Sequence, residues 1–331
     1  MRGRAKPHRK RLSHGAGQMV HPTKFLPIAS SGGVTVFAPT GGFVSFTNSP
    51  YYSHEHGLAV DIYPLTAEAT AFSPVQGELV EVFTVRSPRP KYFEAAEEER
   101  LLIVQSAENP RLVVRILHTD YNSRPGVSFS VGTPIGNIVR SGFYDFWTEH
   151  HIHVEVRNAT HLLRAKGSLP MIPLTQGSRL LGTPSEKPPK LQVVSANRNF
   201  TLVDPEDGAM TLGPLHGLGC RVGEAAGILD AGVPHYKVGS VHLEEGVDVT
   251  SGDEVVLWGT PIGKVLECGN GLAIFKSLPM EARLNSRVIR GLSFYPWVGR
   301  RPFLKLIPLR PSQPGWCEGE EVTIDMCRTI S

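Results

Sequence analysis

The chain is short of several things, and each shortage narrows what it can be. Its four cysteines, Cys220, Cys268, Cys317 and Cys327, all lie in the C-terminal half, and none forms a C-x-x-C pair. That spacing offers no obvious structural zinc site and favours free thiols, with a disulfide such as Cys317–Cys327 left open. No run of about 18 apolar residues occurs, so no segment reads as a membrane span. The basic start lacks the apolar core of a signal peptide, because Phe25-Leu26-Pro27-Ile28-Ala29 is too short. The expectation is a cytoplasmic protein, with export by another route left open. Net charge is scarce as well: the formal total is +3, and much of it comes from Arg2, Arg4, Lys6, Arg9, Lys10 and Arg11. A solvated tail accounts for that cluster. No aromatic-basic recognition motif accompanies it, so a nucleic-acid partner is not expected.

What is present points to β structure. The 331 residues, 40% hydrophobic and 20% charged, suit a globular chain of two domains. The 34 glycines and 27 prolines, with few long helical patterns, lean toward strands and turns. Residues 34–37, 43–46, 77–82, 101–104, 112–118 and 151–157 read as strands separated by turn signals. The predicted fold is mainly β, an antiparallel sandwich or barrel-like domain followed by a second β-rich domain, rather than a βαβ arrangement. Residues 86–100 read as a hairpin tip, or a short helix over 94–100.

The expected division is a basic, disordered tail over 1–30, a first domain over 31–182, a proline-rich linker over 183–191 and a second domain over 192–331. Val131-Gly132-Thr133-Pro134-Ile135-Gly136 recurs in part as Gly259-Thr260-Pro261-Ile262-Gly263. Each copy suits a β-turn, Pro supplying rigidity and Gly permissiveness. The second domain carries His216, His235 and His242 with no ligand spacing, and its role stays unread.

Two histidine stretches carry chemistry. In the run from His151 to Arg157, strand alternation puts His151 and His153 on one face, continued by Glu155 and Arg157, with Ile152, Val154 and Val156 on the other. In the earlier stretch, Asp61 shares a face with Ala59 and Tyr63, while Val60 and Ile62 take the opposite one. His54 and His56 precede that strand beside Gly57, which gives the backbone freedom to bring an imidazole back toward Asp61. Solvated polar faces would explain each stretch alone. Together they supply two nitrogens and one oxygen with further imidazoles beside them, the ligand set of a catalytic zinc site. His118 ends another apolar strand. Tyr51, Tyr52 and Trp147 flank the motifs, either lining a groove or packing as ordinary buried aromatics.

Residues 34–157 resemble the lysostaphin-type zinc metallopeptidases. The resemblance rests on Asp61 followed by an aliphatic residue, the strand after Pro74-Val75 with Gly77, Leu79 and Val80, and the strand ending in His118. It also includes the turn at 131–136 and His151-Ile152-His153-Val154-Glu155-Val156-Arg157. The step from first histidine to aspartate is longer here, five residues from His56 and seven from His54. The longer step, with Gly57 and Ala59 inside it, is similar to the His-x-x-Gly-x-Ala-x-Asp signature of the related D-alanyl-D-alanine carboxypeptidase and hedgehog-type domains. The resemblance implies that one zinc ion per chain is bound by His54, Asp61 and His153, with His56 the alternative first ligand. It implies that His151 and His118 flank the attacking water, and that the substrate is a peptide, cell-wall-like or rich in small residues. A metallopeptidase fold retained for binding without turnover is the competing expectation.

Overall fold

A computed structural model describes residues 24–66, 69–160, 162, 166–312 and 315–329. The fold is mainly β, as predicted, and the only α-helix among the described residues is the single turn Tyr52–Glu55. No helix of the described residues is long and apolar enough to cross a membrane.

The first half is built on one antiparallel sheet. Its strands run, in spatial order, Phe43–Ser45, Val60–Tyr63, Ile152–Asn158, Leu112–Thr119, Glu98–Ser106 and Gly77–Arg86. Alternation explains why it forms: Val60, Ile62, Val114, Ile116, Ile152, Val154 and Val156 all bury into one core. The Gly77–Arg86 and Glu98–Ser106 strands make a long hairpin, and residues 87–97 are its irregular tip rather than a helix.

The expected tail over 1–30 is too long. Phe25–Ser31 is a strand, paired with Val34–Pro39 through a turn at Gly32 and Gly33, both at positive φ, and with Ile172–Pro173. Ile28 and Ala29 are fully buried, and that burial orders a segment whose basic neighbours disguise it. Residues 1–23, which carry the basic cluster, lie outside the described residues.

The second half contains a closed six-strand antiparallel barrel. Leu215–Val222 pairs with Ala225–Val233, then Val238–Leu243, Leu272–Ser277, Thr260–Gly269 and Glu254–Leu257 follow, and the last pairs back with Leu215–Val222. Closure leaves no free edge among these strands. Val222, Leu229, Val241, Val255, Ile262 and Phe275 fill its interior. Both Thr-Pro-Ile-Gly copies enter a strand from a turn, with Gly132 and Gly259 at positive φ. Residues 183–190 hold no strand, and Leu191–Ala196 begins where the linker was expected to end.

The halves are not separate bodies. Leu180–Leu181, before the linker, pairs with Ala209–Leu212, and Phe43 pairs with Trp297. Met210, Leu212, Leu215, Ile228 and Val298 pack into the same core as the first sheet.

Candidate metal centre

Asp61 and His153 are directly opposite residues on neighbouring strands, so their side chains rise from one face a short distance apart. His54 reaches the same point from the one-turn helix Tyr52–Glu55. That helix closes through His54 N–H and Glu55 N–H donating to Tyr51 O, and Gly57 at positive φ then turns the chain into the Asp61 strand. His54 Nε2 lies 3.1 Å from Asp61 Oδ1 and 3.1 Å from His153 Nδ1, and His153 Nδ1 lies 2.8 Å from Asp61 Oδ1. A tetrahedral zinc with bonds of about 2.0 Å has ligand-to-ligand edges of about 3.3 Å, so this triangle fits the ion with small outward adjustment. His54 and Asp61 are buried, and His153 is partly so.

Each of the two candidate imidazole ligands has its tautomer set from behind. His54 Nδ1–H donates to Phe46 O at 2.9 Å, which leaves Nε2 as a lone pair facing the triangle. His153 Nε2 meets Glu155 Oε1 at 2.9 Å, and Glu155 is itself held by Arg115, Arg157 and Ser168. Burial works against charge on His153, but hydrogen bonds to Asp61 and Glu155 outweigh it and push the ring up to about 9. Burial likewise favours a protonated Asp61, yet the neighbouring His54, His151 and His153 hold its carboxyl well below the usual range. A cation in the triangle would take the place of the proton those two groups share.

Two more imidazoles stand beside the triangle. His151 Nε2 is 3.4 Å from Asp61 Oδ2, and its Nδ1–H donates to Glu149 O at 3.0 Å. Its ring stacks on Tyr144, whose hydroxyl donates to His151 O. Burial drives His151 down to about 3, so the ring is neutral over the physiological range. His118 lies 5.2 Å from His151, ring centre to ring centre, and its Nδ1 meets the buried Glu99 at 3.0 Å. Regular alternation from Arg115 would turn His118 into the core. A register shift in its pairing with Glu98–Ser106, together with φ of 72° at His118, re-aims it toward the other histidines.

His56 is elsewhere. It is exposed, hydrogen-bonds Tyr52 O and stacks on the Tyr52 ring. His150 is exposed as well. Of the flanking aromatics, Tyr51 lines the centre's cavity, while Trp147 is buried among Phe146, Phe200 and Tyr236.

The cavity also includes Tyr63, Phe143, Tyr144, Asp145 and Tyr236 and has a volume of about 40 Å³, room for a few waters. Tyr51 donates to Phe143 O, and Tyr236 to Asp145 Oδ2, each at 2.6 Å, tying separate walls together. Tyr236 comes from the turn between two barrel strands. The buried Lys305 sits 2.6 Å from Glu149 Oε2, behind His151. Sequence reasoning missed Glu99, Tyr144, Tyr236 and Lys305 because nothing local marks them. Glu155 was placed on the histidine face, but its bond to His153 was not foreseen.

Residues 37–173 match a family described as "Domain of unknown function (DUF8155) N-terminal domain". No curated protein and no solved structure matches the chain. The matched segment holds His54, Asp61, His118, His151 and His153, whereas Tyr236 and Lys305 lie outside it.

Proposed function

We propose that this protein is a zinc-dependent hydrolase of the peptidase or amidase type, with the ion held by His54, Asp61 and His153. One observation carries the reading: two imidazole nitrogens and one carboxylate oxygen converge within 2.8–3.1 Å. Two further histidines stand alongside them. The resemblance of residues 34–157 to lysostaphin-type metallopeptidases supports the same reading. Zinc, when bound, polarises a carbonyl and lowers the pKa of water toward ~7.

The chain's own groups divide the remaining work. His151, neutral and with Nε2 turned inward, accepts the proton of the attacking water. His118, whose Nδ1 faces the Glu99 carboxylate, donates to the oxygen on which negative charge develops. The aromatic walls narrow access to the centre, and the substrate class this reading carries is a peptide of small residues, cell-wall-like in composition.

The test is zinc content by elemental analysis, followed by hydrolysis of a panel of glycine-rich and D-amino-acid peptides. Wild type and His56→Ala should carry one zinc per chain. His54→Ala, Asp61→Ala and His153→Ala should lose it, and His151→Ala should keep zinc but lose hydrolysis. A wild type that takes up no zinc after loading sinks the proposal.

The cavity favours a second reading. Its small volume and the two hydrogen bonds across it suit a metal-stabilised binding or scaffold protein without turnover. Full zinc occupancy with no cleavage of any peptide in the panel would select that reading.

A further inference from the structure

We propose that Asp230, on the barrel strand Ala225–Val233, is a positioning residue of the metal centre that acts on His54 through the backbone of Phe46. The inference rests on the zinc reading above and adds to it that the second half of the chain builds the site.

Asp230 is fully buried, a costly place for a carboxylate unless its oxygens are hydrogen-bonded. Its Oδ2 accepts the Phe46 N–H at 2.5 Å and the Thr47 N–H at 3.3 Å, while its backbone oxygen accepts Thr47 Oγ1–H at 2.9 Å. Thr47 Oγ1 also meets Ser240 Oγ on the next barrel strand at 2.7 Å, and Asn48 Nδ2–H donates to Phe294 O. Residues 46–48 therefore hang from the second half of the chain. The carbonyl of Phe46, whose own amide Asp230 grips, is the acceptor that sets the His54 tautomer and ring angle. From the carboxylate to the proposed ion the path is Asp230, the Phe46 peptide, then His54.

Packing does not account for the acid. Among the described residues Asp230 Oδ1 has no hydrogen-bond partner, and neither ring nitrogen of the fully buried His242 has one, although His242 Nε2 lies 3.8 Å from Asp230 Oδ2. An apolar pair of the same shape would avoid both costs. What an apolar residue cannot do is hold the Phe46 and Thr47 amides.

The test uses the full chain. Asp230→Asn keeps an oxygen for the two amides, and Asp230→Leu removes it with the same branching, methyl groups replacing the oxygens. Zinc affinity is read by competition with a chelator, the visible bands of the cobalt-loaded protein report ligand geometry, and circular dichroism checks the fold. Folded Asp230→Leu should bind zinc at least about tenfold more weakly, the scale of lost outer-shell support, with altered cobalt bands. Asp230→Asn should restore the wild-type bands. If Asp230→Leu does not fold, Asp230→Ala takes its place, since it removes the carboxylate that holds the Phe46 and Thr47 amides without adding bulk; weaker zinc and shifted bands are again expected. Wild-type affinity and bands in whichever variant folds would overturn the proposal while leaving the metal site standing. A wild type that binds neither ion would overturn both.

Discussion

Around the candidate centre, four imidazoles each have one nitrogen tied to a fixed acceptor, and the choice of acceptor separates their roles. His54 and His151 donate to backbone carbonyls of Phe46 and Glu149; His153 and His118 face the carboxylates of Glu155 and Glu99. Each acceptor fixes which nitrogen carries the proton and the angle of the ring, and at His153 the carboxylates also help to push the ring up to about 9. Away from the centre, His235 packs against Trp147 and Tyr236, where burial, then Arg290 and Lys305, lowers it to about 3. The unfolded chain titrates near 6.5, so between about 6.5 and 3 it binds a proton that the folded state refuses. This contribution to stability is complete above pH ~6.5 and falls by up to about 1.4 kcal/mol per pH unit on acidification. His235→Phe should therefore lose less stability than wild type between pH 7 and pH 5 in urea melts; equal losses would refute the assignment. Cysteine chemistry is equally local. Cys220 is buried, and burial pushes its thiol up, while Cys268, Cys317 and Cys327 are exposed and free. A thiol reagent should modify those three in the native protein and reach Cys220 only after denaturation.

At the level of elements, the site depends on how closely two short strands approach. A Cβ built on Gly42 would lie 2.2 Å from Tyr63 O, so Gly42→Ala forces Phe43–Ser45 away from Val60–Tyr63, the strand that bears Asp61. The expected cost is about 2 kcal/mol, as for other overpacking changes, read as a lowered denaturation midpoint together with weaker zinc retention. An unchanged midpoint would mean that the strands yield freely. The faces of the Asp61 and His153 strands were legible from alternation alone, because Val60, Ile62, Ile152 and Val154 share the core exactly opposite the ligands' side of the sheet. The direction of His118 was not. It depends on a bulge, and residues 112–116 are buried on both faces, so the sequence pattern carries no mark of the shift.

For the whole molecule, the fused core has a thermodynamic consequence. Met210, Leu212, Leu215, Ile228 and Val298 pack with the first sheet, and Lys305 forms its buried ion pair with Glu149 across the same junction. Thermal unfolding followed by fluorescence and by circular dichroism should give one coincident transition, because neither half buries its apolar surface alone. A fragment of residues 24–182 should be insoluble or molten when expressed by itself. A folded, zinc-binding fragment would show that the first half is autonomous.

Sequence by itself determined the β class and which histidines and aspartate share one face. Strand alternation is a property of neighbouring residues, and the histidines and aspartate that alternate onto one face carry their coordination chemistry wherever they stand. It did not decide between His54 and His56, since two residues' difference in a turn changes direction only when the turn is built. The tertiary structure decided that: a single helical turn, closed on Tyr51, sends His54 inward and leaves His56 stacked on Tyr52. It also decided what surrounds the candidate centre, because Glu99, Asp230 and Lys305 come from strands remote in the chain, and only long-range pairing brings them to His118, to the Phe46 amide and to Glu149.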